Sequence, residues 1–125
     1  VITALVSVFL FVHGLVHLTV WLPRQADRQP FDPRYSWALA AAGLPRAGAM
    51  DAAAIGLASA TAVLYLIAGL ATAVQSSGWA AAALTAAAVG LLLKTLWFNP
   101  WLSLGVLLDA GVITAVLLAW PGSLY

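Results

Sequence analysis

The chain of 125 residues has no cysteine and no glutamate. Five basic and four acidic side chains are its whole complement of formal charge, 7% of the residues, where a soluble domain carries roughly a quarter. Each shortage excludes something. Without cysteine there is no disulfide scaffold, no zinc–thiolate centre and no thiol nucleophile. A net charge of +1, with no basic run, excludes a nucleic-acid partner. The sequence also lacks a phosphate-binding glycine motif, HExxH and a Ser-His-Asp pattern. Apolar side chains fill the space instead. They make up 64% of the residues, the mean hydropathy is +1.02, and they fall in runs of about twenty, as in a membrane-spanning chain.

The runs divide into four segments, at residues 1–22, 52–74, 79–98 and 101–120. The first, VITALVSVFLFVHGLVHLTVWL, reaches about 33 Å as a helix, enough for one bilayer crossing. It is too long for a signal-peptide core and has no small-residue cleavage pattern. It begins with valine, as expected of a chain that starts upstream or has been trimmed. Asp51 is placed to cap the second segment and to sit at its positive end. The QSSG turn at 75–78 precedes the third segment, and Asn99-Pro100 precedes the fourth, where proline in a first turn leaves no N–H unpaired. Pro121-Gly122 stops the last helix. Trp21, Trp79, Trp97, Trp101 and Trp120 stand at segment ends, the positions of an aromatic belt.

Residues 23–50 form a connection of a different kind. They hold four of the five basic residues and four of the six prolines. Their stretch 35–44 is apolar but too short to span, which predicts a short interfacial or re-entrant helix with loop on both sides. Arg24, Arg28, Arg34 and Trp37 are the candidates for contact with lipid headgroups or an interface. By the positive-inside rule this loop lies in the cytoplasm and both termini lie outside. Small residues at helical spacing predict close helix packing: Ala83, Ala87 and Gly90 with Lys94 in the third segment, Gly56 and Ala60 in the second.

Four ionisable side chains fall inside the spans: His13, His17, Lys94 and Asp109. Helix rise gives their depths. Measured from the face that carries the loop, His17 lies about 8 Å in, Lys94 about 9 Å, and His13 and Asp109 about 14 Å. His17 is therefore level with Lys94, and His13 with Asp109. Thr61 is level with His13. His13 and His17, at i and i+4, share a helix face, and Thr3, Ser7, Leu10 and Gly14 lie on or beside it. Asp109 shares its face with Gly105 and Val112. A cluster of the four in the bundle interior is expected.

Several roles fit these residues. Lys94 either snorkels to the headgroups or pairs with Asp109. Asp109, at mid-helix, is protonated or paired, and it serves structure, function or a subunit interface. The histidine pair is half of a metal site, a hydrogen-bonded structural pair, or a proton or substrate site. Asp109 is the one acid at the depth of a third ligand, while Lys94 repels a cation. One haem cannot take both axial ligands from a single helix.

The string His13-Gly14-Leu15-Val16-His17-Leu18, followed by Trp21, resembles that of small uncharacterised bacterial four-helix membrane proteins with an HGLxHL motif in the first transmembrane helix. The turn Phe98-Asn99-Pro100-Trp101 before the last helix also resembles theirs, and the architecture is distantly similar to DoxX-like proteins. The long loop 23–50 is a departure from the pattern. The resemblance implies a bacterial inner-membrane location and no particular activity.

The sequence thus predicts an all-α polytopic membrane protein, with four transmembrane helices and a short interfacial or re-entrant helix in the first loop. Small size and the lack of a catalytic motif make an accessory or scaffold subunit of a larger membrane assembly the first functional expectation. Its partners would be the lipid bilayer and other membrane proteins, or further copies of itself. The alternative is a carrier- or transporter-like protein that uses the His/Lys/Asp cluster to bind a small molecule, a proton or a metal. Candidate ligands are a metal ion, a quinone or a lipid. An enzyme shuttling protons for a lipid or quinone comes third.

Overall fold

The computed structural model describes residues 1–23 and 30–125. Arg24 and Arg28 lie outside the described residues. The described chain is helical, with no strand: α1 (Ile2–Trp21), α2 (Trp37–Ala41), α3 (Gly48–Ala73), α4 (Trp79–Leu96), a 3-10 turn (Pro100–Leu102), α5 (Ser103–Leu117) and a closing 3-10 turn (Gly122–Leu124). Four helical stretches, α1, α3, α4 and Pro100–Leu117, are each long and apolar enough to cross a membrane.

The helix ends follow from local chemistry. The second span begins a turn before the sequence-predicted start. Asp51 is not its cap: the N-cap is Ala47, and Asp51 lies in the first turn, where its carboxylate still suits the positive end. The added turn buries Met50 against Trp21, Ala54 and Trp97, which gives the chain a reason to start its helix early. Asn99 caps the turn at Pro100 by accepting from the Trp101 N–H. At the other end α3 closes through Gln75, which takes a positive φ of 55° while the Ser76 N–H reaches back to Ala71 O.

The helices pack in the order α1 on α3, α3 on α4 and α4 on α5. Small residues set the spacing. Gly14 lets α1 lie directly on α3, since a Cβ there would stand 2.7 Å from Tyr65 Cβ and 3.1 Å from Ala62 O. Ala83, Ala87, Gly90 and Lys94 share the buried face of α4, as their spacing predicts. Gly56 and Ala60 do not face a neighbour: Gly56 looks into open space and Ala60 is exposed. The buried stripe of α3 runs through Ala54, Ala58, Thr61, Ala62 and Tyr65 instead, because Met50 and Trp21 fix the rotation of the helix. Two apolar clusters form the core, one around Leu10, Tyr65 and Ala87 and one around Trp21, Met50 and Leu93. The polar residues lie between them.

α5 is the least anchored span. Asp109 and Val112 are its buried residues, and Leu104, Leu107 and Leu117 point outward. Between α5 and α1 a seam stays open, and two cavities line it.

Candidate functional site

Each span contributes to one buried cluster: His13 and His17 from α1, Tyr65 from α3, Lys94 from α4 and Asp109 from α5. Asp109, fully buried, is its hub. Its Oδ1 accepts from His13 Nε2 at 2.7 Å and from the Tyr65 hydroxyl at 2.6 Å. Its Oδ2 accepts from Lys94 Nζ at 2.6 Å. A carboxylate with this set of donors is held as the anion, and the Lys94 ammonium balances it.

Partner chemistry assigns the two imidazoles. His17 Nδ1 lies 2.9 Å from His13 O, a carbonyl that only accepts, so Nδ1 carries the hydrogen. Its Nε2 is then a lone pair, which accepts from Lys94 Nζ at 2.6 Å. His13 Nε2 donates to the carboxylate, which leaves Nδ1 as the ring position turned away from Asp109. The Asp109 carboxylate and the Lys94 ammonium offset each other within the cluster.

The levels inferred from helix rise correspond to these contacts: His13 meets Asp109, and His17 meets Lys94. Lys94 does not snorkel. Its stem turns inward and is 3% exposed, because two absent side chains make room. A Cβ at Gly105 would stand 2.7 Å from Lys94 Cε, and one at Gly90 would stand 2.5 Å from Asp109 Oδ2. Thr61 is buried at the predicted depth, but its hydroxyl bonds back to Leu57 O and its methyl faces Gly90. Tyr65 is the member that sequence reasoning missed. The available signal was a phenol at mid-span, which needs a partner when buried.

Potential metal-ligand atoms of His13, His17 and Asp109 lie within 4.8 Å of one another. The Lys94 ammonium, however, already bonds to both His17 and Asp109 and supplies the positive charge there. A metal ion at these residues would have to displace it. The geometry therefore favours an internal ion pair over the metal site considered for His13 and His17.

The larger cavity, about 530 Å³, opens beside the cluster. His13, His17 and Lys94 line its wall, with Trp21, Trp101 and Leu108. The second, about 380 Å³, continues along the α1/α5 seam to Trp79, Trp120 and Pro121. The two share Leu5, Phe9 and Leu108, so they form one cleft with polar groups near its middle.

The first loop closes the cluster from the α1 C-terminal end. Trp21 is buried, stacks on His17 at 5.9 Å, and donates its indole N–H to Pro33 O. Arg34 donates to Trp21 O, Leu22 O and Pro23 O, which are acceptors that the end of α1 leaves free. Trp97 donates to Arg34 O, Ser36 to Leu96 O and Trp37 to Thr95 O. Among the candidates for headgroup contact, Arg34 and Trp37 thus stitch the loop to the ends of α1 and α4. Arg46 pairs with Asp32 and lies 3.6 Å from Asp51, and the Asp32 carboxylate beside it raises its guanidinium above its ordinary value.

Comparison of the chain with protein-family models, curated proteins and solved structures finds no match.

Proposed function

We propose that this is a multi-pass protein of the bacterial cytoplasmic membrane, with residues 23–50 on the cytoplasmic side, that binds a lipophilic small molecule in the α1/α5 cleft. The cluster holds the polar end of that molecule. One observation carries the reading: a hydrogen-bonded polar network, with Lys94 and Asp109 paired, lines an otherwise apolar cleft. Cavities of 380 and 530 Å³ fall in the range of small-molecule sites, roughly 300–1,000 Å³, which pair apolar walls with a few converging polar groups. Trp21 and the stitched loop block the cytoplasmic end, so the ligand enters sideways from the bilayer.

Native mass spectrometry of the protein released from gentle detergent tests this. The wild type should carry a lipophilic adduct that the His13→Ala/His17→Ala variant loses while keeping its helicity. A wild type without an adduct, which also takes up none from a bacterial lipid extract, refutes the reading.

The accessory-subunit reading is favoured by the same open seam and by the outward leucines of α5, which a partner helix or a second copy could cover. Stoichiometric co-purification of another membrane protein, with the cleft empty, would establish it instead.

A further inference from the structure

We infer that the polar end of the cleft's occupant is an uncharged hydroxyl, seated between Lys94 Nζ and His13 Nδ1, on a single apolar chain that runs toward Trp120. This rests on the binding reading above and adds the chemical class of ligand.

The Asp109 carboxylate already has the Lys94 ammonium as its counter-charge, and with both imidazoles as free bases the cluster has no net charge. A carboxylate, phosphate or ammonium head would leave a net charge in a low-dielectric site, whereas a neutral head would not. What the head must offer follows from which positions are unused. Lys94 has three N–H donors. One goes to Asp109 and one to His17, and the third has no partner among the described residues. His13 is 5% exposed, and its ring is fixed by the bond to Asp109. No hydrogen bond joins its Nδ1 to another described residue. Both residues line the cleft. The wall therefore offers one donor and one acceptor that have no partner among the described residues. A hydroxyl carries both complements, an oxygen that accepts from Lys94 and an O–H that donates to His13. A ketone or an ether accepts only, and leaves His13 unpaired.

The rest of the cleft sets the tail. Beyond the cluster, Leu5, Phe9, Leu107, Gly111 and Val112 offer no hydrogen-bonding side chain. From Asp109 to the end of α5 at Leu117 the helix rises about 12 Å, a length for one extended chain.

The test uses the whole protein in a nonionic detergent and a matched series of twelve-carbon chains: 1-dodecanol, its methyl ether, dodecanoate and dodecylammonium. Affinity is read by competition in native mass spectrometry. The alcohol should bind about tenfold more tightly than the other three, the scale of leaving the His13 acceptor unpaired for the ether and of adding a net charge for the ionic heads. In the wild type, the His13 Nδ1 nitrogen resonance should shift with the alcohol and stay put with the ether. His13→Phe should make alcohol and ether equal. If the ether binds as tightly as the alcohol, or the two ionic heads bind as well, the hydroxyl inference is overturned while the cleft reading stands. If none of the four binds, both fall. The nitrogen resonance keeps the inference testable if His13→Phe does not fold.

Discussion

Replacing Gly90 with alanine would press a methyl group onto the hub of the network. The new Cβ would stand 2.5 Å from Asp109 Oδ2, 3.1 Å from its Cγ and 3.2 Å from the Thr61 methyl. A side-chain tip can usually swing away, but this one is fixed by Lys94 on one oxygen and by His13 and Tyr65 on the other. Relief means shifting α4 or breaking the Lys94 bond. Overpacking costs about 1–3 kcal/mol. A hydrogen bond to a charged group contributes about 1.5–3 kcal/mol. Alanine returns about 1 kcal/mol of helix propensity. By either route the expected net loss is roughly 0–2 kcal/mol. Gly56→Ala is the control, because nothing lies within 4 Å of its added methyl. That variant should gain up to about 1 kcal/mol. Gly105→Ala should fall between them, since it meets the flexible stem of Lys94 at 2.7 Å. Unfolding in mixed micelles, followed by far-UV circular dichroism, gives the order. If Gly90→Ala is as stable as Gly56→Ala, the tightly packed hub is wrong.

Two further predictions concern what holds the bundle together. Lys94→Met and Asp109→Leu should each cost about 3–5 kcal/mol, because each leaves a buried charge alone. The double variant should cost much less than the sum, a non-additivity visible in the same unfolding assay; additive losses would mean that the two side chains do not pair. Arg34→Ala should cost about 1–2 kcal/mol by freeing three acceptors at the end of α1. Arg34→Lys should restore little of it, since one ammonium cannot reproduce the guanidinium fork. The loss should be equal in neutral and anionic bilayers. A loss confined to anionic bilayers would instead make Arg34 a headgroup ligand.

Much of the site is legible in the sequence, for a reason specific to spanning helices. A helix that crosses a bilayer has a known rise and a fixed origin at each end, so residue number converts to depth. That conversion is enough to pair His13 with Asp109 and His17 with Lys94 before any coordinates. Depth says nothing about rotation, however. The contact of Gly56 and Ala60 failed because the phase of α3 is set by Met50 and Trp21, residues distant in sequence whose packing has no signature in a four-residue spacing. Tyr65 was hidden for a related cause: it is apolar enough to pass as core, and its hydroxyl counts only once α3 is known to face Asp109.

The first loop poses the opposite problem. Its arginines read as headgroup ligands because they lie beside a span, and charge near a bilayer has an obvious partner. Yet α1 ends without a basic residue or a capping side chain of its own, so its last carbonyls need donors from elsewhere. Arg34 is placed to supply them. It does so by folding residues 30–37 back over Trp21 and His17, which also shuts the cluster off from that end. The helix end left short of donors and the sideways opening of the cleft are therefore linked. The residue that completes α1 also helps to cover the loop end of the cluster, which leaves the seam between α1 and α5 as its open side.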